Sequence, residues 1–426
     1  VVADFGLAAV LTREASRYPE KTEGYFNTVF LSKIVFGDAA YLLVVLLANI
    51  LKYPELTKML IYVSGITMFF DSLAGAFNSI FRARKNLIYE SAGIIGSQFV
   101  TLLIGTFALL NHWPLVWLII AYTIPSGLNL IYVSHFLKKV YNIKPRLLWD
   151  SYIFKFFLAT ALPFALAGII GRLYSYSDSL LMSKMLSAKE LGWWSVPYKI
   201  TFAFQFIPLA LSASVYPVFS ALFLTDKTAI GSLFEKSWRY LFAIIFPVAF
   251  GLMAIADPVV KHVFGQEFSP SIVPLRILLV SLIFGFLAFI TGALLNATNK
   301  QKTQTGLMGL VLAVNVILNL ILLPKLKING AAIAALASNL LLCLLGFYFA
   351  ARQAPINLKN IFKYLNQTLW PALAMAAAVY GLSLKINYLA TIIIGGAIYF
   401  VLICFTGVVN KENILMIMNK IRPKSV

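Results

Sequence analysis

Apolar runs of bilayer-spanning length recur about every 30 residues along the whole chain, each ended by charges, Pro or Gly. A helix needs about 20 predominantly apolar residues to cross a hydrocarbon core. Such runs occupy 26–50, 57–81, 87–110, 114–136, 153–174, 195–222, 240–263, 273–297, 304–323, 329–351, 368–384 and 388–409, with an apolar stub at 1–11. The pattern predicts an all-α polytopic membrane protein of twelve complete spans and one partial span. The chain opens on Val1, Val2 and Ala3 without a Met and already within an apolar stretch, which reads as a start inside a helix. Trp113, Trp117, Trp149, Trp193, Trp194, Trp238 and Trp370 all fall at or near a span end, as an interfacial belt requires.

With 60% hydrophobic and 12% charged residues, almost nothing is left for a soluble domain. No connection between runs exceeds about 20 residues, so there is no room for a nucleotide-binding or catalytic domain, and neither an enzyme nor an ATP-driven machine is expected. The formal charge of +19 would point to nucleic acid in a soluble protein. Here it reads as topology. Of the 35 Lys and Arg residues, 23 fall on one set of connections and 11 on the other, with Lys33 inside a run. The positive-inside rule places the richer side and the C-terminus in the cytoplasm of a multi-pass protein of the cell inner membrane, with no nucleic-acid partner. Cys343 and Cys404 lie within apolar runs, and His112, His135 and His262 are far apart, which argues against a disulfide, a metal site or a proton relay. No cofactor is expected.

Two stretches recur at an offset slightly above 200 residues. GAFNSIFRARKNLIYESAG at 75–93 pairs with GALLNATNKQKTQTGLMG at 292–309, and TEGYFNTVFLSKIVF at 22–36 pairs with TAIGSLFEKSWRYLF at 228–242. A six-helix repeat preserves orientation, so the expected fold is two six-helix lobes related by a pseudo-twofold axis along the membrane normal. For the two lobes to match, the first is expected to lack its first helix here, and two further helices are expected after the second lobe. The expected division is an N-terminal lobe at 1–137, a cytoplasmic linker at 138–152, a C-terminal lobe at 153–351, and a two-helix hairpin with a cytoplasmic tail at 352–426.

The stretch NVILNLILLPKLKINGAAIAALAS at 315–338, through Asn315, Asn319, Pro324, Gly330, Ala331, Ala332 and Ala334, resembles a helix hairpin of the polysaccharide transporters. These form the O-antigen-type flippase family of the multidrug/oligosaccharidyl-lipid/polysaccharide exporter superfamily. DFGLAAVLTREASR at 4–17, SDSLLMSKMLSAKELGWWSVPYKI at 177–200 and FGQEFSPSIVPLRILLVS at 264–281, which leads to LLNATNKQK at 294–302, resemble the same family in the same order. The resemblance implies a V-shaped pair of lobes that flips a lipid-linked oligosaccharide to the outer leaflet by alternating access. It implies a polyprenyl diphosphate substrate carrying an O-antigen, capsule or exopolysaccharide unit. The bilayer and other polysaccharide-assembly membrane proteins are the expected partners of a monomer. A polar, cationic lumen open to the side would suit an anionic diphosphate, a hydroxyl-rich glycan and a tail that stays in lipid.

Ionised groups at the bilayer centre cost about 2.5–3.5 kcal/mol each on insertion scales, so those present should face a cavity or a partner. Asp38, Asp71, Arg172 and Asp178 are the deep ones. Asp71 shares a helix face with Asn78, and Gly75 opens that face between them. Arg172 could engage diphosphate through its fork of donors. Asp178 could hold Arg172 between substrates or take up a coupling proton, and the nearby Tyr174 suits a sugar path. Gln205 lies among Pro197, Pro208 and Pro217 in a span that could flex. For Asn296, Asn315 and Asn319, sugar contact and interhelical amide bonds are both open. Arg13, Arg82, Arg84, Lys85 and Lys300 stand at the expected cytoplasmic mouth, where they could meet anionic lipid or recruit a diphosphate. Lys33 lies roughly 10 Å deeper at 1.5 Å per residue, so it can snorkel or line the lumen.

The competing readings are a multidrug or organic-cation antiporter, a peptidoglycan-precursor flippase, and, from another class, a membrane polysaccharide polymerase or glycosyltransferase. The last would need carboxylates or histidines on a sizeable outer loop, which the sequence lacks. Coupling to a proton or sodium gradient is left open.

Overall fold

Among the described residues every apolar run is helical over most of its length. The computed structural model describes residues 4–223, 225–384 and 386–408, without the side chains of residues 163, 164, 166 and 167. Its helices are α1 (Leu7–Arg17), α2 (Thr22–Ile50), α3 (Glu55–Ala83), α4 (Ile88–Leu110), α5 (Val116–Tyr141), α6 (Ser151–Met185) and α7 (Ala188–Ala203). They continue with α8 (Phe206–Phe223), α9 (Lys227–Ala254), α10 (Ala256–Val263), α11 (Ile272–Ala297), α12 (Gln301–Ala351), α13 (Leu358–Ser383) and α14 (Tyr388–Phe405). No strand occurs among the described residues. The expected tail at 410–426 lies outside them.

Nine helices, taken with their adjoining turns, are long and apolar enough among the described residues to cross a membrane. One of these, α12, has 51 residues and would extend about 76 Å if straight, far beyond one bilayer. Lys327, at φ 52° and ψ −133°, breaks it into the two expected spans. Gly330 makes that reversal tight, because a methyl group there would stand 2.6 Å from the Leu322 carbonyl oxygen. Two other expected spans are interrupted where proline lacks an N–H and crowds the carbonyl four residues earlier. Pro208 accompanies the break at Phe204 and Gln205 between α7 and α8, and Pro258 the one at Ile255 between α9 and α10. At the start of the described chain, residues 4–6 form a turn, with Phe5 at φ 45° and Gly6 at φ 74°, so among the described residues of the expected stub the helix begins at Leu7.

Contacts divide the chain into two units, Val1–Arg172 and Leu173–Val426. In the first unit α1, α2, α3 and α5 close around Phe26, Phe77, Ile80 and Phe81, and the core takes in Phe157 and Ala161 from the start of α6. Small residues let α2 and α3 approach closely: Gly37 faces the ring of Phe69, and Gly65 faces that of Tyr41. In the second unit α11 is the central helix, 72% buried over its most apolar window against 11% for the peripheral α4. Phe234, Leu241, Phe242 and Ile245 of α9 pack against Leu279, Phe286 and Ile290 of α11.

One kind of helix stop recurs along the backbone. After α3, Asn86 N donates to Phe81 O at 3.0 Å with Lys85 at φ 56°, and after α11, Lys300 N donates to Leu295 O at 2.8 Å with Asn299 at φ 60°. Both are the same left-handed helix stop with a six-to-one hydrogen bond, which also ends α2, where Tyr53 N donates to Ala48 O at 3.3 Å with Lys52 at φ 50°, and α4, where Trp113 N donates to Ala108 O at 2.9 Å with His112 at φ 53°. Aligned on these stops, Asn296 stands opposite Arg82, whereas the pairing of 75–93 with 292–309 sets it opposite Ser79.

Candidate functional site

A cavity of about 680 Å³ opens within the first unit. One face of α3 supplies Ser64, Thr67, Asp71 and Gly75, spaced at three or four residues so that they line up along the helix. Tyr122 of α5 stands opposite, and Lys33 of α2 and Asp4 of the first turn complete the wall. Asp71 accepts a hydrogen bond from Ser126 Oγ at 2.6 Å, while Thr67 and Thr123 share one at 2.7 Å, so a ladder of hydroxyls joins α3 to α5. Such a surface of hydroxyls and one half-committed carboxylate can donate to and accept from many sugar hydroxyls.

Lys33 lies in this cavity wall, 1% exposed, and does not snorkel. Its ammonium pairs with the Asp4 carboxylate and donates to the Ser72 carbonyl at 2.9 Å. Gly75 makes the room, since a methyl group there would stand 3.4 Å from Lys33 Nζ. The lining therefore carries two carboxylates, Asp4 and Asp71, against one ammonium. The free cation expected of a diphosphate lumen is, in this unit, a neutralised one.

Asn78 does not share the cavity with Asp71, although the two lie on one face of α3. Ser79 Oγ donates to Ala8 O at 3.1 Å, so α1 covers that face below Gly75. Asn78 is buried, with its Oδ1 unpaired.

In the second unit the polar residues of α6 and α12 form one network. Asn319 Nδ2 donates to Asp178 Oδ1 at 2.7 Å and to Asn315 O at 2.9 Å. Ser177 Oγ donates to Asn315 Oδ1 at 2.9 Å, and Tyr174 OH to Asn339 Oδ1 at 2.7 Å. Asn339 in turn donates to Ser281 Oγ at 2.8 Å. Asn315 and Asn319 are 1% and 0% exposed, so in this conformation they bond helices together. Asn319 Oδ1 and Ser338 Oγ remain buried without a partner.

The other expected residues are scattered. Arg172 is exposed on α6, and the expected ion pair with Asp178 is not formed among the described residues. Gln205 is exposed at the break before α8. Asn296 is half-buried near the end of α11, where its carbonyl accepts from Gln301. Arg13 is held by the buried Glu14 at 2.7 Å. Arg82 grips the buried Glu90, with Nε 2.8 Å from Oε2, and so is committed to α4. Arg84 donates to Pro19 O at 3.3 Å, and its guanidinium lies over the Tyr141 ring. Lys85 and Lys300 are exposed on the two matching turns. Sequence reasoning missed Asp4, Ser64, Thr67, Tyr122 and Ser126. Completing the helical face through Asp71 and Gly75 would have found Ser64 and Thr67; Asp4 is legible only as a charge beside an apolar run that needs a partner.

The family model described as polysaccharide biosynthesis protein matches residues 1–274, and that of the lipid II flippase MurJ matches 199–400. The chain is 23% identical over 245 residues to the probable low-salt glycan biosynthesis flippase Agl15 of Haloferax volcanii, covering 57% of this chain and 51% of that one. It is 25% identical over 360 residues to the lipopolysaccharide biosynthesis protein WzxC of Escherichia coli, covering 80% of this chain and 67% of that one. The chain thus spans about half the length of the first of these relatives and two thirds of the second. A solved structure of the lipid II flippase MurJ in an inward closed conformation matches with a TM-score of 0.75 at 17% identity, over 93% of this chain and 88% of that one. That likeness establishes the fold, two helical lobes built from membrane-spanning segments. With more than half of its length matched by one family model, this multi-span membrane chain belongs to the polysaccharide biosynthesis protein family.

Proposed function

We propose that the protein flips a polyprenyl-diphosphate-linked oligosaccharide from the cytoplasmic to the outer leaflet of the cell inner membrane by alternating access. Surface polysaccharide synthesis would consume the product, and the C-terminus would be cytoplasmic. The observation that carries this reading is the hydroxyl-lined cavity among apolar helices, with the Lys33 ammonium in its wall. Family membership and the flippase named among the relatives support the substrate class. An incoming diphosphate would compete with Asp4 for Lys33, while the glycan would meet Asp71, Thr67, Ser64 and Tyr122. Asp178, with Asn315 and Asn319, is the candidate seat of a coupling proton or sodium ion.

Deleting the gene tests the proposal. Lipid-linked repeat units should accumulate in the cytoplasmic leaflet; normal surface glycan with normal outer-leaflet exposure of the precursor would overturn it. One observation favours a second reading, export of an organic cation. The cavity lining holds two carboxylates and one ammonium, which would attract a cation more than an anion. Gradient-driven ethidium efflux from proteoliposomes, with no flipping of a lipid-linked glycan, would decide for that reading.

A further inference from the structure

The hairpin of α13 and α14 meets α9 along one stripe, at every fourth residue. Gly231 lies against the backbone of Pro355, where a methyl group would overlap the carbonyl oxygen. One turn on, the buried Glu235 carboxylate accepts from Asn357 N at 2.7 Å and from Asn360 Nδ2 at 2.8 Å. Those groups form the N-terminal turn of α13, the positive end of its dipole. Another turn on, Arg239 Nη2 donates to the carbonyls of Gly407 and Val408 at 2.9 and 2.6 Å, just past the C-terminal end of α14. That is the negative end of a helix dipole, and the guanidinium also lies 5.2 Å from the centre of the Tyr364 ring.

The fourth contact follows from a proline. Pro247 has no N–H to give the carbonyl of Ala243, four residues earlier in α9. Tyr399 OH of α14 supplies the missing donor at 3.0 Å. Within the hairpin, Gln367 Nε2 donates to Thr406 O at 2.9 Å, which ties α13 to the end of α14.

We propose that this stripe is a permanent dock, by which α9 carries the hairpin as one body through conformational change, with Glu235 and Arg239 as positioning residues matched to two opposite helix ends. Glu235 and the Nη2 of Arg239 are each paired with a helix terminus, while Arg239 Nε is buried without a partner, so separating the surfaces would leave a buried carboxylate and two sets of terminal backbone groups without partners. Nothing in this depends on the substrate.

The test uses the full chain in lipid nanodiscs with the exposed Cys404 replaced, Cys404→Ser, and spin labels at Lys236→Cys and Lys363→Cys. Both labelled positions are exposed, on α9 and α13. The interspin distance should give a single distribution that is the same in sodium and potassium buffer and at acid and neutral pH. In the Glu235→Ala/Arg239→Ala double variant it should split or broaden. A distribution that shifts or divides with buffer in the otherwise native chain overturns the dock, and that arm stands even where the double variant does not fold. A folded double variant with the native distribution overturns the role of the two charges.

Discussion

Asp4 and Lys33 neutralise each other within the wall of the first unit's cavity, but unequally: Lys33 is 1% exposed and Asp4 36%. Removing the acid strands a buried ammonium, whereas removing the ammonium leaves a carboxylate with access to water. Asp4→Asn should therefore destabilise the fold by about 3 kcal/mol, the cost of breaking a buried pair from one side, and Lys33→Met by clearly less. Thermal unfolding of the purified variants in detergent checks this. Equal losses would show that the pair is not held in the geometry described. In a flipping assay Lys33→Met should lower activity about 10-fold or more, the worth of one charge-assisted hydrogen bond.

Arg82 makes the opposite case. Its guanidinium is engaged by the buried Glu90, so Arg82→Ala should act on stability, while transport per folded molecule stays near the native value. The exchanged pair Arg82→Glu/Glu90→Arg should recover much of the loss. A variant that folds as well as the native protein but no longer transports would give Arg82 a substrate role.

Asp178→Asn keeps an oxygen for Asn319 to donate to, so the network should survive and stability should change by no more than about 1 kcal/mol. Its predicted effect is on coupling. Transport driven by imposed proton or sodium gradients should fall to the level seen without a gradient, and unchanged gradient dependence would remove Asp178 from the coupling step. Asn319→Ala, which cuts bonds to both Asp178 and Asn315, should cost about 1–2 kcal/mol.

Two glycines of α12 separate packing from propensity. A methyl group at Gly306 meets nothing within 4 Å, so Gly306→Ala should be neutral or stabilise by up to about 1 kcal/mol. At Gly330 it meets the Leu322 backbone, and Gly330→Ala should destabilise by about 1–3 kcal/mol. Melting temperatures that move in the same direction for both would contradict the tight reversal at Lys327.

The spans were legible because lipid forces each crossing to be a run of apolar residues with its own backbone bonded internally. Breaks inside them were not, since Pro208 and Pro258 accompany interruptions while Pro125 and Pro371 sit within continuous helices. Neighbours decide which carbonyl can be satisfied another way, as Tyr399 does for Ala243. At the site, Asp71 was readable as a charge too deep to be idle. Lys33 was readable as a cation but not as one with a partner, because Asp4 reaches it from a turn 29 residues away along the chain. Glu235 and Arg239 were passed over: just ahead of the span expected at 240–263 they look like ordinary interfacial charges until the helix ends they face are known.

The paired stops at 81–86 and 295–300 share a backbone bonding pattern although, aligned residue for residue, only Ala83 and Ala297 agree. The joint is thus a backbone device, indifferent to the side chains mounted on it, and the ends of α2 and α4 use it as well. Arg82 could become a tether for α4 while the residue opposite it, Asn296, stayed uncharged. A stop of this kind fixes the path of the chain and leaves the side chains on it free to acquire a chemistry of their own.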